Sequence, residues 1–185
     1  MAEQATTVGV HRPSGLRLAW AWSAVTALLA LALDQATKWW VLTELMDSPR
    51  VIPVTPFFNL VLGRNRGVSF GLLSADHPAA PWLLSSLALV IVAGLVVWMT
   101  RDRRPGMAAA VGLIAGGALG NVVDRLRHGA VTDFLDFHAA GYHWPAFNLA
   151  DTAIFVGVAL LLLVGGKDEA ARAELRDPVL KAERP

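Results

Sequence analysis

Two aspartates stand in otherwise apolar stretches of the chain, and the chemistry open to them depends on whether they meet. Asp133 lies in the segment VTDF and Asp151 in the segment FNLAD. Neighbouring carboxyl groups cannot both ionise cheaply, so such a pair shares one proton. One member can then activate water while the other protonates a carbonyl oxygen or a leaving amine. The pair would hydrolyse peptides without a metal, although a helix cap or a proton or cation relay explains either aspartate alone.

Further polar residues are spaced so that they share helix faces. Asp34 and Lys38 are four residues apart, which places them on one face and predicts a structural ion pair rather than a reactive one. Asn121, Asp124 and Arg125 follow an i, i+3, i+4 pattern and therefore project together. An Asn amide and an Arg guanidinium can hold an extended peptide backbone, while Asp124 can hold Arg125 or a neighbouring backbone group.

Asn148 stands three residues before Asp151, at the start of an apolar run. Asn is a favoured N-cap residue because its side-chain oxygen accepts a hydrogen bond from a backbone N–H of the first turn. The positive end of that helix would favour an ionised Asp151, whereas burial would favour the protonated form. The sequence therefore predicts that Asn148 begins a helix and that Asp151 lies in its first turn.

A metal site is the main alternative for the segment around the first of these aspartates. Asp133, Asp136, His138 and His143 lie close in sequence, and Asp and His side chains bind zinc or manganese. Their spacing matches no compact helical ligand pattern, so a wet loop is the simpler interpretation, and no metal or other cofactor is expected. The chain has no cysteine, which excludes a thiol nucleophile, thiolate metal sites and a disulfide scaffold.

The composition is that of a membrane protein. Hydrophobic residues make up 55% of the 185 residues and charged residues only 17%, against about 25% charged residues in soluble domains. The net charge of +1 provides no basic field for nucleic acid. Apolar residues form four long runs, and a membrane span needs about 20 helical residues. We therefore predict an all-α membrane protein with four transmembrane helices, at about 18–41, 81–100, 106–125 and 147–166.

The distribution of positive charge predicts the orientation in the membrane. Four spans place both termini on one side, which carries ten Lys and Arg residues against six on the other. The short loop Arg101–Arg104 holds three arginines next to span ends, where positive residues indicate the cytoplasmic face. We therefore predict cytoplasmic tails at 1–15 and 167–185. The seven tryptophans lie near the ends of the apolar runs, as expected at the headgroup level.

Two segments of the predicted membrane domain, residues 16–166, lie on the opposite side of the bilayer. Residues 42–79 contain β-forming residues broken by prolines, which is typical of short edge strands and predicts a small extracytoplasmic β-cradle. Residues 126–146 are predicted to form an outer loop. The first apolar run could instead be a cleaved signal peptide, since Ala30-Leu31-Ala32 is similar to a cleavage site, but the run is long for that role.

Five sequence blocks occur in the order in which they occur in a known family. The blocks are DQATK at 34–38, NRGVSFG at 65–71, GGALGNVVDR at 116–125, VTDF at 131–134 and FNLAD at 147–151. Over about residues 16–166 the chain thus resembles lipoprotein signal peptidase, also called signal peptidase II. Each block lies at the outer end of a predicted span, and five blocks in order are highly specific.

The resemblance implies a monomeric aspartic endopeptidase of the bacterial inner membrane, with its active site near the outer leaflet and no cofactor. Its substrates would be prolipoproteins whose cysteine already carries diacylglycerol, cut just before that cysteine in contact with membrane lipid. It implies Asp133 and Asp151 as the catalytic pair. It also implies that Asn65, Asn121 and Arg125 hold substrate backbone or the inhibitor globomycin. The implied supporting residues are Asp34, Lys38, Gly67, Phe70, Gly71, Asp124 and Asn148.

Two interpretations from other classes compete with this one. A small proton- or cation-coupled transporter would use Asp34, Lys38, Asp124 and Asp151 as a relay. Transport sites lie near the bilayer midplane, however, and these residues are predicted near one surface. A structural scaffold or anchor would need none of the acids. Serine chemistry is not indicated, because no serine stands in a G-x-S-x-G context.

Overall fold

A computed structural model describes residues 14–45, 50–67, 78–102 and 104–182, with the backbone alone beyond Gly165. Within these ranges the helices are α1 (Ser14–Trp40), α2 (Ala80–Met99), α3 (Pro105–His128) and α4 (Leu149–Ala182). One π-helical turn, Val41–Leu45, extends α1. The strands are β1 (Ile52–Thr55), β2 (Phe58–Asn65), β3 (Val131–Ala139) and β4 (Tyr142–His143).

The helix ends follow local sequence signals. Proline stands in the first turn of both α2 and α3, where the missing N–H has no intrahelical partner to lose. Gly129 caps the end of α3 and has a left-handed φ of 68°, a conformation that glycine adopts without a Cβ penalty. At the start of α4, the side-chain oxygen of Asn148 accepts the N–H of Asp151 at 3.0 Å. The predicted N-cap is confirmed.

Three of the described helices have the length and surface of membrane spans. Among the described residues, Gly15–Leu45, Ala80–Met99 and Pro105–His128 are long and apolar enough to cross a bilayer, and Leu149–Gly165 is a shorter apolar helix. Large apolar side chains point outward, as at Val90, which is 68% exposed. Apolar surface of this extent needs a hydrocarbon or protein cover. Three of the four predicted spans are thus supported, and the fourth stays a prediction.

Helix α3 is the centre of the bundle and packs against α1, α2 and α4. Its glycines allow two of these helices to approach closely. A Cβ added at Gly112 would overlap Ser23 and Thr26 of α1, and a Cβ at Gly117 would overlap the carbonyl oxygen of Ala150 in α4. The close contacts leave α3 largely buried and fix the relative positions of the polar residues near its end.

The strands form one antiparallel sheet in the order β1-β2-β3-β4. It lies where α1 and α3 finish and where α2 and α4 begin, and we call this end of the bundle the sheet end. Strand β2 pairs with β3 so that Gly63 lies opposite Asp133 and Asn59 lies opposite Asp136. The sheet thereby brings one of the candidate acids to the ends of the helices.

The structure differs from the sequence-based expectation in two segments. Residues 126–146, expected to be a loop, contain β3 and β4 and supply half of the sheet, so an all-α description is incomplete. Strand β3 is stabilised by pairing with β2, which is distant in sequence, and local pattern does not reveal such a partner. The predicted C-terminal tail is helical as far as Ala182, as a continuation of α4, because its Ala, Glu, Lys and Arg residues favour helix.

Candidate active site

Lys38 lies at the centre of a buried polar network at the sheet end. Its side chain is 3% exposed, and its Nζ lies 2.9 Å from Oδ2 of Asp34 and 3.1 Å from Oδ2 of Asp124. It also donates a hydrogen bond to Oδ1 of Asn121 at 3.1 Å. The predicted ion pair between Asp34 and Lys38 is confirmed. The second carboxylate comes from α3, so one ammonium group joins two helices and is fully paired, as a buried charge must be.

The two carboxylates of this network also bind the backbone of neighbouring elements. Oδ1 of Asp34 accepts the N–H of Ala150, in the first turn of α4, at 3.0 Å. Oδ2 of Asp124 accepts the N–H of Thr132, in β3, at 2.9 Å. The Gln35 amide donates to both carboxylates at 3.1 Å. The sequence pattern gives Gln35 no role, because its partner on α3 is 89 residues away.

Two amide side chains connect the two candidate acids, and we call them the amide bridge. Nδ2 of Asn148 donates to Oδ1 of Asp133 at 2.7 Å and to Oδ1 of Asn121 at 3.2 Å. Nδ2 of Asn121 donates to Oδ1 of Asp151 at 2.8 Å. The structure therefore gathers Asp133 and Asp151, from a strand and a helix, around one pair of amides.

Asp151 is also held by its own helix. Its Oδ2 accepts the backbone N–H of Asn148 at 3.3 Å, while Asn148 caps the N–H of Asp151 in return. This reciprocal arrangement is a capping box. Together with the amide bridge it orients the carboxyl group of Asp151 before any ligand binds, which is a requirement for efficient acid–base catalysis.

The surroundings of Asp133 favour its protonated form. The residue is 3% exposed, and burial is the main reason that its pKa rises from 3.8 to about 6, with the nearby charge of Asp151 adding to the rise. Hydrogen bonds from Asn65 and Asn148 and the charge of Lys38 oppose the shift. Because it exchanges its proton near pH 6, Asp133 is suited to act as a proton donor.

A groove of about 480 Å³, which we call the polar groove, opens beside Asp133. Its lining includes Asn65, Gly67 and Arg125, three residues that the resemblance assigns to the site. The guanidinium of Arg125 interacts electrostatically with Asp133 and Asp151, and its buried Nε has no hydrogen-bond partner among the described residues. Arg125 also lines the groove, where a guanidinium can donate to a carbonyl group.

Three further predicted site residues either make contacts other than the predicted ones or lie outside the described residues. Asn121 uses its amide to accept from Lys38 and to donate to Asp151, so here it positions an acid, and its contact with substrate stays a prediction. Phe70 and Gly71 lie outside the described residues.

Asp136 belongs to a different cluster, on the sheet. Its Oδ2 accepts a hydrogen bond from Nδ2 of Asn59 at 2.9 Å, and its carboxylate lies 2.9 Å from Nδ1 of His143. These partners hold the pKa of Asp136 below its ordinary value. The ring of His138 stacks on His143 with centroids 5.0 Å apart. Among the described residues, no group of three or more His, Asp or Glu side chains is arranged to hold a metal ion.

Apolar helices with a buried network of carboxylates and amides at one end define a helical membrane protein with a polar site. A family model described as signal peptidase (SPase) II matches residues 26–165. The chain belongs to this family, the lipoprotein signal peptidases, and is a membrane peptidase. The resemblance inferred from the five sequence blocks is confirmed.

Individual relatives agree with the family match. The lipoprotein signal peptidase of Azoarcus sp. (strain BH72) is 52% identical over 139 residues, covering 75% of this chain and 78% of that protein. That of Aeromonas hydrophila is 45% identical over 163 residues, covering 86% and 93%. A solved bacterial membrane enzyme, determined by the in meso method at 2.3 Å, has a TM-score of 0.70 and 32% identity, covering 82% of this chain and 91% of that chain.

Proposed function

We propose that the protein removes the signal peptide from diacylglyceryl-modified prolipoproteins by aspartic catalysis. Cleavage falls just before the lipidated cysteine, and Asp133 and Asp151 activate water for the attack. Family membership supports signal peptide removal from prolipoproteins. We infer the catalytic type and the residue roles from the site and from the resemblance.

The amide bridge is the observation that carries this proposal. It binds one oxygen of Asp133 and one oxygen of Asp151 at 2.7 and 2.8 Å, so the two acids are held for joint action. The pKa of Asp133, raised to about 6 chiefly by burial, favours one shared proton between them. Two acids with one proton can supply a base and an acid at the same time.

The proposed reaction proceeds through a tetrahedral diol. Asp151 accepts a proton from water as the water oxygen bonds to the scissile carbonyl carbon, while Asp133 donates its proton to the carbonyl oxygen. The carbon–nitrogen bond then breaks, the leaving amine takes the proton from Asp151, and a hydroxyl proton returns to Asp133. Each acid ends in its starting form, so no covalent intermediate or cofactor is needed.

The polar groove is the proposed seat of the peptide backbone. Asn65 and Arg125 line it beside Asp133, and an amide and a guanidinium can bind the carbonyl groups of an extended chain. Holding the scissile bond in register with the acids supplies the positioning part of catalysis. A globomycin-type cyclic peptide would compete for the same groups.

The proposed setting is the bacterial inner membrane, with four spans and both termini in the cytoplasm. The apolar helix Leu149–Gly165 would be the fourth span, and the sheet end would face the outer leaflet. The basic loop near Arg101 supports this orientation. We propose a monomer in contact with membrane lipid, because every proposed catalytic group comes from one chain. A transporter is disfavoured, since the buried charges of the described residues gather at the sheet end rather than midway along the helices.

The test uses the purified protein in lipid nanodiscs with a diacylglyceryl-modified precursor. We expect a product that begins with the lipidated cysteine, identified by mass spectrometry, and inhibition by globomycin. A matched precursor whose cysteine carries no lipid should be cleaved far more slowly. Activity should persist in a chelator.

Two results would contradict the proposal. One is the absence of cleavage at that bond, and the other is activity that disappears in the chelator and returns with added zinc.

A further inference from the structure

An apolar groove of about 400 Å³ reaches Asp151. Its described lining consists of Trp144, Phe147, Asp151, Thr152 and Phe155, and none of these residues is among the described residues that line the polar groove. The two candidate acids therefore border different surfaces. Asp133 borders one with arginines and an asparagine, and Asp151 borders one whose other described residues are aromatic or uncharged.

One wall of the apolar groove is fixed by the sheet. The ring of Phe147 stacks on Phe137 with centroids 5.9 Å apart. The backbone of Phe147 exchanges hydrogen bonds with Leu135 at 2.9 and 3.1 Å and accepts another from Phe134 at 3.0 Å. The position of this ring is thus set by β3 and does not depend on what occupies the groove.

The other wall faces the region that lipid would cover. Phe155 is 74% exposed and Trp144 is 70% exposed. Phe155 follows Asp151 by four residues on the same helix face, about 6 Å further along the axis. Helix α4 is apolar from Leu149 to Gly165. The groove therefore runs from a candidate catalytic carboxyl along an apolar helix toward the bilayer.

We propose that the apolar groove seats an acyl chain of the diacylglyceryl group on the substrate cysteine. The inference rests on the proposed function, in which that cysteine directly follows the scissile bond. A chain attached there begins beside the acids and must leave toward hydrocarbon. Asp151 is the one charged residue among the described residues that line the apolar groove. An uncharged chain therefore suits the groove, whereas a charged peptide segment would be buried there without enough partners.

The groove would act by positioning rather than by affinity. A chain that moves from the bilayer to an apolar groove exchanges one hydrocarbon surrounding for another, so its transfer contributes little free energy. A chain held between Phe147 and Phe155 restricts how the cysteine can turn relative to Asp151. Interactions that orient the reacting groups raise kcat more than they lower KM.

The test compares two variants of exposed residues on α4 with substrates that differ only in acyl length. Phe155→Ala removes the open wall, and Leu162→Ala, at a residue that is 66% exposed and outside the described lining, is its matched control. With dipalmitoyl substrate we expect Phe155→Ala to lower kcat about tenfold with little change in KM. With dibutyryl substrate the loss should be less than about twofold. Leu162→Ala should match the wild type on both.

A second substitution, Phe155→Trp, narrows the groove with a larger ring and should also slow the long-chain substrate selectively. The inference is overturned if these variants slow both substrates equally or neither. It is also overturned if the effect of the variants depends on the size of the residue before the scissile bond, because the groove would then bind the peptide. An effect of the variants that is the same for short-chain and long-chain substrates would indicate that a bilayer lipid fills the groove, and would overturn the inference as well. Failure of the wild type to cleave either lipidated substrate would instead remove the proposed function.

Discussion

Two aspartates on β3, three residues apart, differ in what surrounds their carboxyl groups. Asp133 and Asp136 are 3% and 5% exposed, so both are shielded from water. Burial and the charge of Asp151 raise the pKa of Asp133 to about 6. Hydrogen bonds with Asn59 and His143 lower the pKa of Asp136.

The difference shows that partners, rather than exposure, decide what a buried acid can do. Asp133 accepts amide hydrogen bonds, but it also faces a second carboxyl group, which favours an exchangeable proton. Asp136 faces an amide donor and an imidazole, which favour a fixed anion. One strand therefore carries a candidate catalytic acid and a structural acid, and substitutions can separate the two roles.

The largest expected effect is on catalysis. Asp133→Asn and Asp151→Asn should each lower kcat by about 10²–10⁴-fold, the usual contribution of a general acid or base. Asp136→Asn should retain most of the activity, because an amide can still bond to its neighbours. The measurement is turnover of the diacylglyceryl precursor, with thermal unfolding in detergent as the check on folding. Equal losses in the Asp133 and Asp136 variants would remove the distinction between the two acids.

The next effect concerns the support of each acid. Lys38→Met leaves Asp34 and Asp124 buried without their cation, and such a loss costs about 3–5 kcal/mol of unfolding free energy. His143→Ala removes a partner of Asp136. The His143 side chain is 55% exposed, and exposed ion pairs contribute about 1 kcal/mol or less to stability. Denaturation of both variants in the same detergent compares them. A similar cost for each would show that the Lys38 network is no more critical than the cluster on the sheet.

A smaller effect is expected where α3 passes the Lys38 network. A Cβ at Gly120 would overlap the carboxylate of Asp34, whereas a Cβ at Gly94 of α2 meets no atom within 4 Å among the described residues. Gly120→Ala should therefore destabilise the protein by about 1–3 kcal/mol through overpacking. Gly94→Ala should be neutral or stabilising by up to about 1 kcal/mol. Unfolding midpoints that shift equally in both variants would contradict the packing inferred here.

The smallest effect is a difference in how stability depends on pH. The folded pKa of Asp133 lies above the unfolded value, so its contribution to stability is lost as pH rises from about 4 through about 6. The folded pKa of Asp136 lies below the unfolded value, so its contribution is lost as pH falls through the folded pKa. Each Asn variant should lack one of these dependences.

The measurement is Tm against pH for the wild type and both variants. When Tm is converted to the free energy of unfolding, the slopes of that free energy against pH should differ between the proteins by at most about 1.4 kcal/mol per pH unit, the value for one proton. Three parallel profiles would contradict the assigned pKa directions.

Features that depend on spacing within a few turns were predictable from the sequence. The Asp34–Lys38 pair follows from the four-residue helical repeat, and the Asn148 cap follows from a hydrogen bond that closes within three residues. The apolar runs likewise predicted four spans, of which three are long and apolar enough to cross a bilayer. In each case the interacting groups lie on one element, whose geometry the local sequence determines.

Features that join distant elements were not predictable in the same way. Lys38 reaches Asn121 across 83 residues, and β3 exists because β2 pairs with it. No local period specifies which face of α3 meets α1 or which strand completes a sheet. The family resemblance named Asp133, Asp151 and both asparagines, but the hydrogen bonds by which Asn121 and Asn148 connect the two acids became apparent only from the fold.

The amide bridge has one consequence for the chemical cycle. Amide side chains neither gain nor lose protons in the range where carboxyl groups titrate. The bonds from Asn148 and Asn121 to the acids are therefore available whichever acid is charged at a given moment. Bond making and bond breaking in the substrate can then follow each other while the two acids keep their positions and exchange only protons.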